Sequence, residues 1–231
     1  MNLYEQILNQ PHALIAGATG AGKSVAERGI IETMLLTRPD ALFLLVDPKR
    51  IELREYAKYP GCVGYANTID GAAILLGWAV EEMERRFKWM ERYECRELNG
   101  PHVYIFIDEL TDLMTRGKRE IEPPLETLLT LARAARMHIV ALTQRPTSDI
   151  LSGLIRNNIV ARLALRTECA QDSRNVVRVA GAEKLPRHGW GIYRDADIYE
   201  PERVRVPLMD EGARLRAMYA GKMRRAIPII D

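Results

Sequence analysis

The sequence predicts an α/β protein with a mostly parallel central sheet and helices on both faces of that sheet. One observation is that short runs of continuous apolar residues recur along the 231-residue chain, which is typical of strands buried on both faces. The other is that apolar residues in the intervening segments recur every three or four positions, as on one face of a helix. Strands that alternate with helices in this way favour a parallel sheet.

The first half of the chain begins with a strand at 12–16, the apolar run "HALIA", which leads into a glycine-rich turn. A helix over 21–36 follows the turn, and a second strand over 41–47 ("ALFLLVD") follows that helix. A shorter strand is predicted at 61–66. The next helix, about 69–98, keeps apolar residues at helical spacing along one side and charges along the other, so we expect it to pack on the sheet.

The second half continues the alternation with a strand over 102–108 that ends in two acidic residues. We expect the helical region after it to be broken at "RGKRE" and "EPP" and to resume over 125–137, because glycine and proline interrupt helices. We interpret residues 1–231 as one domain, closed by the hairpin and helix of about 195–231. The remaining predicted elements are a strand over 138–144, a loop over 145–153, a short helix over 154–158, a strand over 159–166, a hairpin from 189–194 and 199–206, and a last helix over about 209–223.

Composition favours a soluble protein of a reducing compartment. The cysteines are widely spaced (Cys62, Cys95, Cys169) and form no metal or redox motif. The net charge of +2 indicates no nucleic-acid partner by itself, and the basic surplus over 133–205 fits either a solvated face or a DNA-binding one. The longest apolar stretch, 72–80, is too short to span a bilayer, and we expect no N-terminal leader.

A glycine-rich motif follows the first strand. Residues 17–24, "GATGAGKS", match the phosphate-binding pattern G-x-x-x-x-G-K-[ST] and lie between a predicted strand and a predicted helix. Glycines let backbone N–H groups turn toward phosphates, and the helix N-terminus favours their negative charge. We expect Lys23 to reach the β- and γ-phosphates and Ser24 to hold Mg²⁺. The predicted ATP-binding residues are Gly17, Ala18, Thr19, Gly20, Ala21, Gly22, Lys23, Ser24 and Val25.

Asp108 and Glu109 end the apolar run of "YIFIDEL". At the end of a central strand, Asp108 is expected to hold Mg²⁺ with Ser24, and Glu109 to orient or deprotonate the attacking water. The alternative is that both acids only begin a helix, where negative charge is favoured. A glutamate after the aspartate, with the strand at 41–47 between the two motifs along the chain, is the layout of RecA-like and AAA+-like motors. This layout favours an oligomeric ATPase over a small kinase or a GTPase.

Thr143 and Gln144 end the strand that we expect beside the strand of Asp108. A polar side chain at this place is within reach of a γ-phosphate or of the attacking water. Gln144 is therefore a further catalytic candidate, although polar residues are common at strand ends.

Beyond these motifs, a series of segments occurs in a fixed order over residues 11–194: "HALIAGATGAGKSV", "LVDPKRIELREY", "WAVEEMERRF", "YIFIDELTDLM", "ARAARMHIVALTQRP", "GLIRNNIVARLALR", "QDSRNVV" and "GAEKL". The series resembles the FtsK/SpoIIIE family of DNA translocases, and "VDPKRIEL" and "TQRP" are its most diagnostic parts. The resemblance implies a RecA-like P-loop NTPase core that forms a hexameric ring and pumps double-stranded DNA through the pore as ATP is hydrolysed. Chromosome segregation and conjugative or mobile-element transfer are both open as settings. The expected location is the bacterial cytoplasm, and a membrane-bound or targeting partner would recruit the chain to the inner membrane.

The resemblance also assigns roles to four arginines. Arg133 matches an arginine that reaches the ATP of the neighbouring subunit, so it is a catalytic candidate in trans; otherwise it is an ordinary surface residue of the helix 125–137. Arg145, Arg156 and Arg174 match basic positions of the pore, where contacts to phosphates give sequence-independent DNA binding. Each of these three could equally be a helix-surface residue or a salt-bridge partner.

Three departures from the family pattern indicate a divergent branch. Ala170 stands where the family usually has a lysine, and Arg136 stands where it has a glycine. The segment "LPRHGWGIY" also differs from the family's sequence at that place, which is near the nucleotide base or the sheet edge. Two alternatives to a DNA motor remain: a secretion-type hexameric ATPase that moves protein, and a subunit that binds ATP without productive turnover. The intact Lys23, Asp108 and Glu109 argue against the second alternative.

Overall fold

The computed structural model describes residues 2–147, 153–198 and 200–223. Within these ranges the strands belong to a single sheet. They are β1 (His12–Ala16), β2 (Leu42–Val46), β3 (Cys62–Ala66), β4 (Val103–Ile107), β5 (Met137–Thr143), β6 (Ala161–Ala164), β7 (Trp190–Arg194) and β8 (Glu202–Arg205). The helices are α1 (Leu3–Asn9), α2 (Lys23–Thr37), α3 (Ile69–Arg92), α4 (Leu110–Arg116), α5 (Lys118–Leu131), α6 (Gly153–Asn158), α7 (Ala170–Val177) and α8 (Glu211–Met223).

The sheet has a hydrophobic core on each face, as the continuous apolar strands predict. Neighbouring residues of a strand point to opposite faces, so Leu44 and Ile105 belong to the core that α3 to α7 cover. Phe43 and Phe106 belong to the other core, which α1, α2 and α8 cover. The predicted α/β class with helices on both faces is therefore confirmed.

Strand order places the ends of three strands side by side. The order is β3-β2-β4-β5-β1-β6-β7-β8, with β7 and β8 antiparallel to their neighbours and the other pairs parallel. Because β5 lies between β1 and β4, these three strands end at one edge, which we name the carboxyl edge (Ala16, Ile107, Thr143). They begin at the opposite edge, which we name the amino edge (His12, Val103, Met137). The carboxyl edge of an open α/β sheet is where ligands bind.

The helical region after β4 differs from the prediction. The predicted break at "EPP" is wrong, because α5 runs without interruption from Lys118 to Leu131 and contains Pro123 and Pro124. The buried Ile121, Leu125 and Leu128 pack in the same core as α3, and this burial outweighs the backbone hydrogen bonds that proline removes. The predicted continuation of the helix to residue 137 is also wrong, since 132–136 form a turn that leads into β5.

Several other boundaries shift or fall outside the prediction. α3 ends at Arg92 rather than near residue 98, and α1 and α7 were not predicted as helices. α1 begins with a capping box, in which Asn2 and Glu5 each accept a hydrogen bond from the other residue's backbone N–H. Most of the predicted loop over 145–153 lies outside the described residues. Among the helices that are described, none is both long and apolar enough to cross a bilayer.

Candidate functional site

The glycine-rich motif forms the loop between β1 and α2, at the carboxyl edge. Gly20 and Gly22 have φ values of +73° and +100°, in the left-handed region that favours glycine. A Cβ on Gly17 would lie 2.8 Å from the Cβ of Leu165, so a larger residue there would displace the loop from the strand region beside it. The Ala18 N–H donates to the carbonyl of Arg166 at 2.8 Å, which fixes the loop to the segment after β6.

Lys23 begins α2 directly after this loop. Its Nζ donates to the carbonyls of Gly17 at 2.7 Å and Ala18 at 3.1 Å, so the ammonium spans the mouth of the loop. Burial lowers the pKa of Lys23, and the nearby Glu109 opposes that shift. A cation held at this place is suited to meet the terminal phosphates of a nucleotide.

Asp108 follows β4, next to the phosphate loop. Its side chain is 6% exposed, and its Oδ2 has no hydrogen-bond partner among the described residues. Burial is the main cause that raises the pKa of Asp108 to about 6; Lys49 opposes the shift, and Asp47 and Glu109 add to it. An unpartnered carboxylate oxygen in this position is suited to a cation.

The donor set fits Mg²⁺ better than a metal held by protein alone. Ser24 and Asp108 line the same cleft, whereas the described residues contain no group of three side chains that could hold a metal. Mg²⁺ commonly takes one or two protein oxygens and completes its shell with phosphates and water. Ser24 and Asp108 would therefore hold the ion only when a nucleotide is bound.

Glu109 is held by a network at the ends of β2, β4 and β5. Its Oε2 lies 2.9 Å from Nζ of Lys49, and its Oε1 accepts hydrogen bonds at 3.0 Å from the Thr143 hydroxyl and from the Gln144 N–H. The residue is 4% exposed. In this arrangement Lys49 neutralises the carboxylate, and Thr143 and Gln144 orient it.

Gln144 joins the two predicted motifs. Its Oε1 accepts a hydrogen bond of 3.1 Å from the Thr19 hydroxyl in the phosphate loop, while its backbone N–H donates to Glu109. A movement of the loop would therefore reach Glu109 through Gln144 and β5.

These side chains surround a cleft that we name the phosphate-loop cleft, of about 410 Å³. It is lined by Thr19, Gly20, Gly22, Lys23, Ser24, Val25, Lys49, Ile51, Glu52, Asp108, Gln144 and His188. A second cleft, of about 460 Å³, shares Gly22, Val25 and His188 with it and adds the apolar walls Leu165, Pro207 and Leu208. A polar cleft that continues into an apolar one is suited to a ligand with a charged end and a flat apolar end.

Three residues of this site had no predicted role. Lys49 belongs to "VDPKRIEL", but its contact with Glu109 depends on β2 and β4 being neighbours in the sheet. Glu27 is fully buried, and burial and the carboxylate of Asp108 raise its pKa well above the usual range. His188 lies in the stretch "LPRHGWGIY", which therefore borders both the phosphate-loop cleft and the apolar cleft beside it.

Arg133 does not reach the phosphate-loop cleft of its own subunit. It is exposed in the turn between α5 and β5, at the amino edge. The helix that was predicted to carry it ends two residues earlier, at Leu131.

The three candidate DNA-binding arginines lie on separate segments. Arg145 and Arg174 are exposed, after β5 and on α7, whereas Arg156 on α6 is half-buried. The Asn175 side chain donates to the carbonyl of Pro146 at 2.8 Å, which brings α7 to the segment of Arg145. Ala170 is the first residue of α7.

The loop, the lysine and the carboxylates at the carboxyl edge of a parallel sheet define a RecA-like P-loop nucleotide-binding fold. The chain is similar to the FtsK/SpoIIIE family, whose profile matches residues 2–105. It is 35% identical over 227 residues to the DNA translocase FtsK of Chlorobaculum tepidum, covering 89% of this chain and 28% of that protein. It is 36% identical over 211 residues to the DNA translocase SftA of Bacillus subtilis, covering 84% of this chain and 22% of that protein. The chain thus spans about a quarter of the length of these relatives.

Solved structures of ATPases share the fold. The pCW3 conjugation coupling protein TcpA, in its monomer form with ATPγS, superposes with a TM-score of 0.82 at 24% identity, over 95% of this chain and 66% of that one. The cytoplasmic domain of the type VII secretion ATPase EccC of Thermomonospora curvata superposes with a TM-score of 0.76 at 24% identity, over 96% and 30%. At these identities the likeness establishes the fold only.

Proposed function

We propose that residues 1–231 form one motor domain of an ATP-dependent double-stranded DNA translocase. The observation that carries the proposal is that Lys23, Asp108 and Gln144 line one cleft at the carboxyl edge and that Glu109 is bonded to Lys49 and Gln144 of its wall. The chain is also similar to named DNA translocases over most of its length.

The bound nucleotide is ATP, with its phosphates over the loop of Gly17 to Gly22. Lys23 leaves the loop carbonyls to meet the β- and γ-phosphates, because a hydrogen bond from an ammonium to a charged phosphate oxygen is stronger than one to a neutral carbonyl. When bound, Mg²⁺ neutralises phosphate charge, and Ser24 and Asp108 are the side chains that hold it. The adenine base lies in the apolar cleft beside Leu165 and Leu208.

Glu109 is the group that orients or deprotonates the attacking water. It must give up at least part of its contact with Lys49 to do so, because the ion pair occupies its Oε2 at 2.9 Å and Thr143 and Gln144 occupy its Oε1. Lys49 also lines the cleft, so the phosphates of ATP compete with Glu109 for it. Binding of ATP thereby prepares Glu109 for its role.

DNA is held by Arg145, Arg156 and Arg174 in the pore of a hexameric ring, and Arg133 completes the ATP site of the neighbouring copy. Contacts to phosphates suit a motor that moves along any sequence, because they carry no base information. The direct test is ATP hydrolysis by the purified chain with and without long double-stranded DNA of mixed sequence, at low salt. We expect a several-fold rise, which diminishes with added salt.

The assay also separates the alternatives. Hydrolysis that long DNA leaves unchanged at low salt would contradict a DNA motor and favour a protein-secretion ATPase, in agreement with the shared fold of EccC. Nucleotide binding without turnover under either condition would indicate a silent subunit. Chromosome segregation and conjugative transfer predict the same outcome in this assay.

A further inference from the structure

Two arginines lie together at the amino edge, far from the phosphate-loop cleft of their own subunit. Arg133 and Arg136 belong to the turn between α5 and β5. Both line a cleft of about 380 Å³ that also includes His102 and His138. Both also line a second cleft, of about 600 Å³, that includes Arg96. The pair therefore forms the wall between two open clefts.

The backbone of Arg136 is in a conformation that its side chain disfavours. Its φ is +54°, in the left-handed region where a Cβ crowds the following carbonyl and glycine is the usual residue. A glycine is also what the family resemblance leads one to expect at this position. An arginine here therefore carries a backbone cost that a glycine would not.

The contacts of Arg136 inside its own subunit are few. One guanidinium nitrogen, Nη1, donates to the carbonyl of Gly100 at 3.2 Å. A guanidinium has five N–H donors in a planar fork, and within the described ranges neither Arg133 nor Arg136 forms an ion pair with an acidic side chain. The fork is therefore available to an anion that enters either cleft.

The charges at the two edges of the sheet are complementary. The carboxyl edge carries Asp47, Glu52, Asp108 and Glu109 together with Lys23 and Lys49, whereas the amino edge carries Arg38, Arg96, Arg133 and Arg136 together with Glu97 and Asp197. Burial lowers the pKa of His102, and Arg136 and Arg38 are the next causes, which is a second sign of positive potential at this edge. The basic excess of the amino edge suits contact with the phosphates of a nucleotide that a neighbouring copy carries in a head-to-tail arrangement, which is the arrangement that closes into a ring.

We propose that Arg136 acts with Arg133 as a second trans-acting catalytic arginine, so that the two guanidinium groups of one subunit clamp the phosphates of the nucleotide in its neighbour. The inference rests on the proposed function, because it requires a nucleotide in the neighbour's phosphate-loop cleft. Two planar forks side by side would match the several oxygens of a terminal phosphate and stabilise the charge that develops there. The competing explanation is that Arg136 only ties the segment before β4 through Gly100.

The first test replaces Arg136 by glycine, the residue that the backbone favours. Because Arg136→Gly relieves the left-handed conformation, its thermal unfolding temperature should equal or exceed that of the wild type. Hydrolysis at saturating ATP should nevertheless fall about 100-fold. Arg178→Gly is the matched control, since Arg178 is an exposed arginine with a φ of +69° at the end of α7, and it should hydrolyse ATP at the wild-type rate without DNA. A wild-type rate for Arg136→Gly would overturn the proposal.

The second test asks in which subunit Arg136 acts. Arg136→Gly has an intact phosphate-loop cleft, and Lys23→Ala has intact arginines but a defective cleft, so each alone should be nearly inactive. A mixture of the two should regain hydrolysis, because Lys23→Ala subunits supply Arg136 to their Arg136→Gly neighbours. A mixture that stays inactive would place Arg136 within its own subunit and overturn the proposal. Arg133→Ala, measured in the same way, separates this result from the proposed function: if it complements and Arg136→Gly does not, the ring mechanism stands and only the second arginine fails.

Discussion

The two edges of the sheet hold their polar side chains in different ways. At the carboxyl edge, Lys23 is bonded to the phosphate loop and Glu109 to Lys49, Thr143 and Gln144, all within one subunit. At the amino edge, Arg133 and Arg136 line open clefts, and the side-chain hydrogen bond found for this pair within the described ranges is the one from Arg136 to Gly100, at 3.2 Å. In the proposed ring, the open amino edge of one copy completes the organised carboxyl edge of its neighbour.

The largest expected effect tests whether the amino edge is needed. Arg133→Ala should lower hydrolysis about 1,000-fold or more, because a trans arginine stabilises charge on the transferring phosphoryl group. Mixed into wild-type protein in increasing ratio, it should also lower the activity of the mixture by more than dilution does. The measurement is the rate of phosphate release against the mixing ratio. A mixture that loses activity only in proportion to dilution would return Arg133 to the status of a surface residue.

The next effect tests the carboxyl edge within a single subunit. Glu109→Gln should lower hydrolysis about 100- to 1,000-fold, since the amide cannot accept a proton from the attacking water. Nucleotide binding should be retained, because the amide keeps the size of the carboxylate and can still accept hydrogen bonds from Thr143 and Gln144. Fluorescent-nucleotide titration and phosphate release together check this expectation. Normal turnover would remove Glu109 from its assigned role.

The sequence predicts the carboxyl edge better than the amino edge for a physical reason. The strand of the phosphate loop is predicted with its observed bounds, 12–16, because a continuous apolar run bounded by glycine marks a central strand. Lys49 and Glu27 gain their importance from strand order and burial, which local patterns do not contain.

The errors in the helix bounds also have physical reasons. The predicted break at Pro123 and Pro124 follows from local propensity, which the burial of α5 against α3 overrides. The left-handed conformation of Arg136 ends the helical region before β5, and no residue type at 132–136 signals that turn. Arg133 was therefore placed on a helix, whereas the structure places it on the turn.

The third prediction measures how much the buried charge of Asp108 lowers the free energy of unfolding when neither Mg²⁺ nor nucleotide is bound. The pKa of Asp108 is raised from 3.8 to about 6, chiefly by burial, so the folded protein binds more protons than the unfolded chain between these pH values. Stability that stems from this group therefore falls as the pH rises through that window. Without Mg²⁺ or nucleotide, Asp108→Asn should raise the free energy of unfolding by up to about 3 kcal/mol at about pH 7.5 and by little at about pH 4. Urea unfolding at both pH values checks the sign; an equal gain at both would mean that the charge of Asp108 is not the cause.

The smallest effect concerns DNA and distinguishes the exposed arginines of the two edges. Arg145 follows β5 at the carboxyl edge and is exposed, so as a phosphate contact it should weaken DNA binding only a few-fold when replaced by alanine, for all sequences alike. The slope of log affinity against log salt should fall by about one. Arg96→Ala, at the amino edge, is the matched control. In the proposed ring the amino edge faces a neighbouring subunit and not the DNA, so the loss of the Arg96 side chain should leave that slope unchanged. Fluorescence anisotropy with one labelled duplex over a salt series measures both. The salt dependence counts the protein cations that contact DNA phosphates, and it does not count cations that contact another subunit. A slope that falls for Arg96→Ala and not for Arg145→Ala would therefore place the DNA at the amino edge instead of the carboxyl edge.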